Sequence, residues 1–422
     1  MEPVLTRNRR PGKPPPDRAQ YEAAGGYQAL RAALEIGPEE TLQRVLDADL
    51  KGRGGAGYPA GKKWASLPPY EQSPRPRLIF VNCDEMEPGT FKDRCLVEGD
   101  PHLLVEGTLA AARACRAEHA WIFVRGEYAG PSRLLRRAVA EAREAGYVGR
   151  NILGSGWDCE LHVHESAGRY MCGEALALLN AMEGSRAQPR TKPPYAAHVG
   201  AWGLPSIVNN VETLCCVPSI ITRGAAWFRS LGRGQDAGPK LYGVSGRVNR
   251  PGSFELPIGV TLRELLDEHA GGMRPGCRFK AALPGGASTM YLSEAELDVP
   301  LDFASLGAIH HYLGTGSVVV IDDRTCLVAA TRNLQQFFAR ESCGWCTPCR
   351  DGLPWLVRIL DALEEGRGTT EDIALLEELC HAIHGNTFCT LALGAVVSIE
   401  SGLAKFRDEF EAHVRMGRCP LS

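Results

Sequence analysis

Cys343, Cys346 and Cys349 stand at even three-residue intervals in ESCGWCTPCRDG, residues 341–352. No packing pattern needs a thiol at every third position, so the trio points to metal chemistry. Iron–sulfur clusters are held by four thiolates, commonly several from one short loop and one from a distance. Structural zinc usually takes two Cys-x2-Cys pairs or Cys/His pairs. A trio with one remote partner therefore favours a [4Fe–4S] cluster over zinc. Downstream candidates for the fourth thiolate are Cys380, Cys389 and Cys419. Cys389, in HGNTFCTLALG, follows a Gly-Asn turn at the start of an apolar helix and is the choice. Cys380, in EELCHAIHG, has the spacing of a helix core, and Cys419 sits near a terminus expected to fray. Pro348 hinders helix continuation inside the loop, leaving backbone N–H groups for the sulfurs. His381 and His384 read as surface or packing histidines.

Three other stretches carry polar chemistry. GRGGAGYPAGKKW (52–64) is dense in glycine, which lets backbone amides approach a phosphate closely, with Arg53, Lys62 and Lys63 adding charge. It matches neither the G-x-G-x-x-G dinucleotide fingerprint nor a Walker A loop, so taken alone it also reads as a flexible loop. NCDEMEPGTFKDR (82–94) sets Asp84, Glu85 and Glu87 after a buried strand, where α/β sheets place ligand contacts. Acids beside a phosphate site make sense only if they bind sugar hydroxyls or ring N–H groups. Together the two stretches suggest a cofactor with phosphate, ribityl or ribose, and an aromatic ring. GRYMCGEALALLN (168–180) brings Tyr170, Gly173 and Glu174 to a strand-to-helix turn. KPPYAAHVGAWGLPSIVNNVETL (192–214) carries Asn209-Asn210 near its end, whose adjacent amides suit a flavin or ribityl chain.

These segments need a scaffold. The chain has 422 residues, 44 % hydrophobic and 23 % charged, with net charge -3. At about 150 residues per domain this suggests two to four domains. The charge balance offers no basic face for nucleic acid. The longest apolar runs, LIFV and SVVVI, are too short to cross a bilayer. An odd count of 15 cysteines, with no secretory signal, argues against a disulfide framework. Scattered ones such as Cys115, Cys215 and Cys216 read as small core hydrophobes.

Strands at RLIFV, AWIFV and CELHVHES alternate with helical patterns up to about residue 235, the signature of an α/β layer. From 240, a hairpin around NRPG, a helix opened by the Thr261/Glu264 capping box and further short strands indicate a small β-rich module. From about 329 the chain reads as helical to its end. The expected domains are an extended basic arm (1–26), read as a solvated tail or else an element lying on a partner subunit, an α/β domain (27–238), a β-grasp-like module (239–328) and a helical bundle (329–422).

In this order, from about residue 20 to 415, the segments resemble the flavoprotein, NADH-binding subunits of respiratory complex I. The likeness extends to diaphorase subunits of NAD-reducing hydrogenases and NAD-dependent formate dehydrogenases. The resemblance implies FMN and a [4Fe–4S] cluster as cofactors and NADH as substrate, with hydride passing to FMN and electrons leaving singly through the cluster. It implies an FMN site lined by Gly52, Arg53, Gly54, Gly55, Lys63, Asn82, Asp84, Glu85, Tyr170, Gly173, Glu174, Asn209, Asn210 and Thr213. NADH would meet Gly54, Gly57, Tyr58, Gly61, Glu87, Tyr170, Lys192 and Tyr195, and the cluster Cys343, Cys346, Cys349 and Cys389. Cofactor chemistry of this kind requires no catalytic acid or base from the protein. Implied partners are a small thioredoxin-like [2Fe–2S] subunit and a larger iron–sulfur subunit, with quinone as the final acceptor. The implied location is the cytoplasmic side of the bacterial inner membrane, peripheral and without direct insertion. The alternatives are a diaphorase subunit of a soluble complex, or an electron-relay subunit that has lost NADH binding. The sequence departs from the pattern at Ala175, where a second Glu is usual near the adenosine ribose, at Tyr58 and Tyr195, where Phe is usual, and at Trp345, where Gln is common.

Overall fold

The computed structural model describes residues 2–10, 12–73 and 75–421. The chain forms two compact units, one of Met1–Met86, Phe91–Tyr242 and Ser253–Gly259, the other of Glu87–Thr90, Gly243–Gly252 and Val260–Ser422.

The first unit is built on β1 (Leu78–Cys83), β2 (His119–Val124), β3 (Glu160–Glu165) and β4 (Ser206–Asn210). All neighbours pair in parallel, in the order β3-β2-β1-β4. Strand alternation sends Ile79, Val81 and Cys83 into one core and Leu78 and Phe80 into another, so both faces of β1 are covered. That is why LIFV is a continuous apolar run rather than an alternating one. The larger core also holds Leu30, Leu104, Leu109 and Leu214 from helices Gln28–Asp47, Pro101–Ala114 and Val211–Arg223. Each such buried leucine contributes about 1.5–3 kcal/mol relative to exposure.

Helix Gln28–Asp47 breaks at Gly37, with φ 85° ahead of Pro38, which reproduces the two successive helices read from the sequence. Helix Lys92–Gly99, β4 and helix Val211–Arg223 form where the local sequence pattern indicates loop or no regular element. The N-terminal segment is not a solvated tail. The Val4, Leu5 and Thr6 N–H groups donate to the Glu255 carboxylate at 2.7–2.8 Å, Leu5 and Tyr21 are buried, and Arg18–Ala23 is helical. The apolar residues between its charges supply the anchor.

In the second sheet, strand order is β6-β5-β8-β7, counting β5 (Pro239–Gly246), β6 (Gly252–Pro257), β7 (Phe279–Leu283) and β8 (Ser317–Asp322). Gly243–Gly246 of β5 runs parallel to β8, and β7 antiparallel to it. The Thr261/Glu264 capping box forms as expected. The C-terminal part is four helices, Leu327–Glu341, Thr347–Glu364, Thr370–Ile383 and Leu391–Met416. The architecture is thus a parallel α/β layer, a small β module and a helical C-terminal region. Among the described residues no helix is long and apolar enough to cross a membrane.

Candidate functional site

The strand order reverses direction between β1 and β4, and α/β sheets bind ligands at the carboxyl ends of strands beside such a point. Asn82 and Asn210 are register partners there. Asn82 Nδ2 donates to the Cys172 and Gly173 carbonyls at 3.0 and 3.4 Å, fixing the 170–174 turn to β1. Its Oδ1 accepts the Asp84 N–H at 3.0 Å, and Ser166 Oγ donates to Asp84 at 2.8 Å. Asn210 caps helix Val211–Arg223, accepting the Glu212 N–H at 2.9 Å. Gly54 lies so close that a Cβ would stand 3.2 Å from Asn210 Cβ. The glycine loop, β1, β4 and the 170–174 turn therefore meet in one place. The loop is closed rather than flexible, since Gly52 N donates to Tyr58 O at 3.0 Å and Ala60 N to Leu50 O at 2.8 Å. Gly54 and Ala56 remain exposed, which leaves loop backbone open to a phosphate-bearing ligand.

Several of the expected contact residues hold the walls of the crevice. Arg53 is fully buried: its N–H donates to Thr213 Oγ1 and its Nη2 to the carbonyls of Ala237 and Pro239, tying the loop inward. Strand alternation sends Asn209 to the face opposite Asn210, where its Oδ1 accepts from Trp64 Nε1 at 2.8 Å. Lys63 Nζ donates to Val208 O, and burial lowers its pKa. Glu85 is buried and accepts from the N–H groups of Asp93 and Arg94 and from Tyr128 Oη, holding the start of helix Lys92–Gly99. Burial, then the neighbouring Asp93, pushes its carboxyl up to about 7. Gly61 packs on Leu46, whose Cα would stand 2.9 Å from a Cβ, so helix packing explains this glycine.

Beneath the crevice lies a buried charge network that the sequence reading missed. Lys92 pairs with Asp93 at 2.7 Å and Glu212 at 3.1 Å, and Lys240 pairs with Glu212 at 2.8 Å. Asp93 also accepts from Asn210 Nδ2 at 2.6 Å. Burial opposes the charge on Glu212, but Lys240 and Lys92 outweigh it and hold the carboxyl below its ordinary value. The signal was the Lys-Asp pair of FKDR; its partners lie more than a hundred residues away in sequence.

Tyr58 and Tyr195 present their rings to solvent, 55 % and 60 % exposed, and Tyr170 is half-buried. Lys192 Nζ donates to Glu174 Oε1 at 2.8 Å, while Glu174 Oε2 caps helix Ala175–Met182 through Ala177 N. Ala175 is the first residue of that helix. Gly57 keeps a positive φ of 66° in the loop. Glu87 belongs to the second unit, where it accepts the Ser288 N–H at 2.6 Å.

Also in the second unit, the cysteine loop joins two helices. Pro348 falls in the first turn of helix Thr347–Glu364, so it opens a helix instead of only interrupting one. Cys349 is buried and within 3.2 Å of Ser342 Oγ; Cys343 and Cys346 are half-buried. The 387–390 loop lies against the trio: Phe388 N donates to Cys346 Sγ at 3.4 Å and its ring stacks on Trp345 with centroids 4.5 Å apart. Half-buried Cys389 follows directly. Cys380 is buried on helix Thr370–Ile383, and burial raises its pKa far above the ordinary thiol value. A soft-donor set with a sulfur-directed N–H fits an iron–sulfur cluster.

Comparison with known proteins accounts for these regions. The Nuo51 FMN-binding domain matches residues 45–219, the SLBB domain 241–291, and the NADH-ubiquinone oxidoreductase-F iron-sulfur binding region 329–413. The chain is 53 % identical to the F subunit of NADH-quinone oxidoreductase of Escherichia coli (strain K12), over 97 % of this chain and 93 % of that one. It is 50 % identical to the second F subunit of NADH-quinone oxidoreductase of Rhizobium meliloti (strain 1021), over the full length of both. Among solved structures, an NAD+-reducing [NiFe]-hydrogenase in the H2-reduced state matches with TM-score 0.82 and 35 % identity. That match covers 92 % of this chain but 65 % of the hydrogenase chain, just under two thirds. FMN and a [4Fe–4S] cluster are thus the cofactors of its two matched regions. Sharing half its residues with these proteins along almost its whole length, the chain belongs to the family of NADH-quinone oxidoreductase F subunits.

Proposed function

We propose that this chain is the NADH-oxidising flavoprotein subunit of an NADH-quinone oxidoreductase. The observation that carries this reading is the presence, in one chain, of an FMN-binding and an iron–sulfur-binding region of that family. When bound, FMN accepts hydride from NADH and the [4Fe–4S] cluster takes the electrons singly towards quinone. The protein's part is position and electrostatics. Gly54, Gly55 and the 170–174 turn, fixed by Asn82, offer backbone groups to the flavin nucleotide, and Asn210 and Glu174 offer polar side chains. Tyr58, Tyr170, Lys192 and Tyr195 face the nicotinamide nucleotide, the exposed rings serving as stacking surfaces. Cys343, Cys346, Cys349 and Cys389 hold the cluster. The domains follow the boundaries at 27–238, 239–328 and 329–422.

The chain works within a multi-subunit complex. We assign as its neighbours a small thioredoxin-like [2Fe–2S] subunit and a larger iron–sulfur subunit, on the cytoplasmic face of the inner membrane. The test is flavin release on denaturing the purified chain, with NADH-to-ferricyanide activity before denaturation. Absence of flavin, or NADH-to-quinone turnover by the chain alone, overturns the reading. A second reading, a diaphorase subunit of a hydrogenase-type complex, draws on the likeness to the NAD+-reducing hydrogenase. Isolating the native complex separates the two: hydrogen-dependent NAD+ reduction supports the second, NADH-dependent quinone reduction the first.

A further inference from the structure

Cys326, Glu364, His413 and Cys419 lie outside the cysteine loop, yet their ligand atoms all fall within 4.8 Å of one another. Cys326 is the N-cap of helix Leu327–Glu341, Glu364 ends helix Thr347–Glu364, and His413 lies in the last turn of helix Leu391–Met416. Cys326 Sγ is 3.3 Å from Glu364 Oε1 and 3.4 Å from His413 Nε2, and His413 Nε2 is 3.0 Å from Glu364 Oε1.

The histidine is oriented as a ligand. Its Nδ1 faces the Glu409 carbonyl at 2.7 Å, an acceptor only, so Nδ1 carries the proton and donates it there. The ring then turns Nε2 towards the Glu364 carboxylate oxygen and the Cys326 sulfur, the atoms a metal ion would bridge. A backbone carbonyl holding the distal ring nitrogen is the usual support of a metal-bound imidazole. Cys326 and His413 are 8 % and 1 % exposed, so the site is shielded on the helix side.

Cys419 arrives by packing, not by chance. Gly366, at φ 72°, sits against the turn at Gly417, at φ 60°; a Cβ on Gly366 would collide with the Gly417 carbonyl oxygen. This contact, open only to glycine, lays the C-terminal segment across the turn that follows Glu364. The terminus expected from sequence to fray is therefore docked where its thiol completes the cluster of four.

We propose that these residues form a structural zinc site, with two thiolates, one imidazole and one carboxylate, that pins the C-terminal segment to the helical region. Tetrahedral zinc with bonds of about 2.0–2.3 Å needs ligand atoms about 3.3–3.8 Å apart. The Cys326–Glu364 and Cys326–His413 edges, 3.3 and 3.4 Å, already meet that range, the imidazole–carboxylate edge must open by a few tenths of an ångström, and the Cys419 sulfur stands within 4.8 Å of the other three. This donor set selects zinc over magnesium or calcium, which prefer all-oxygen shells. Binding displaces the two thiol protons to solvent.

The test uses the full chain with its iron–sulfur cluster intact. It is treated with ZnCl2, desalted, and assayed for zinc and iron by mass spectrometry and for zinc coordination by X-ray absorption. The expected result is one zinc per chain with two sulfur and two nitrogen or oxygen neighbours. Cys419→Ser should lower zinc at least tenfold while iron content stays unchanged, which separates this site from the cluster thiols. Cys326→Ser should do the same, since serine keeps the N-cap of helix Leu327–Glu341 while removing the thiolate. The proposal is overturned by substoichiometric zinc, by sulfur-free coordination, by zinc that survives Cys419→Ser, or by a Cys326–Cys419 disulfide in peptide mapping.

Discussion

Asn82 and Asn210 are paired in register across the parallel strands β1 and β4, and each amide holds a different wall of the crevice. Asn82 grips the 170–174 turn and Asn210 both caps a helix and meets Asp93. Replacing Asn210 with Ala removes an N-cap, about 0.5–2 kcal/mol, and one hydrogen bond of the network. Asn82→Ala releases the turn at about 0.5–1.5 kcal/mol. Both variants should lose FMN on gel filtration faster than the parent chain while remaining folded by circular dichroism. Unchanged flavin retention in both would separate this pair from the flavin.

Lys92 is 1 % exposed and sits between Asp93 and Glu212. Lys92→Met leaves Asp93 without its lysine and Glu212 with Lys240 as its direct ion-pair partner. Breaking a buried pair from one side costs about 3–5 kcal/mol, and melting of the flavin-loaded chain should fall by roughly 10 °C. A fall of only a degree or two would mean the network is solvated and dispensable.

Glu85 gives a pH signature. Burial, then Asp93, raises its carboxyl from 4.5 to about 7. The folded chain then holds this proton more tightly than the unfolded one, so the group adds stability below about pH 4.5 and loses it as pH rises through about 7. Glu85→Gln cannot titrate. Its melting temperature relative to the parent should therefore rise between pH 5 and pH 8. A parallel pair of curves would rule the shift out.

Cys389→Ser should abolish the reduced-state EPR signal of the cluster, and Cys380→Ser should leave it, because Cys380 is buried in the helix core. The adjacent Phe388 N–H on Cys346 brings the 389 loop to the trio. Signal lost with Cys380→Ser and kept with Cys389→Ser would reverse the assignment.

Ala175 opens a helix whose cap, Glu174, is bridged to Lys192. A carboxylate at 175 suits a first helical turn and should fold normally. In relatives of this pattern it would accept a charge-assisted hydrogen bond from the ribose, about 1.5–3 kcal/mol, and repel a 2′-phosphate. Ala175→Glu should raise the NADH-to-NADPH ratio of kcat/KM at least about tenfold. An unchanged ratio would show that position 175 does not read the ribose.

Local patterns were enough for much of this molecule. Even thiol spacing marked the 343–349 loop, continuous apolar runs marked β1 and β2, and the Thr261/Glu264 box marked a helix start, because each depends on neighbours within a few residues. β4 was missed because SIVNN is short and its partner strand lies some 130 residues earlier in sequence. Nothing local reveals that Arg53 turns inward to Ala237, that Asn209 and Asn210 part to opposite faces, or that Glu212 pairs with both Lys92 and Lys240. Nor does it bring Cys419 to Cys326 and His413. Burial, long-range ion pairing and metal-ligand convergence are set by which surfaces pack together, and only the tertiary structure decides that.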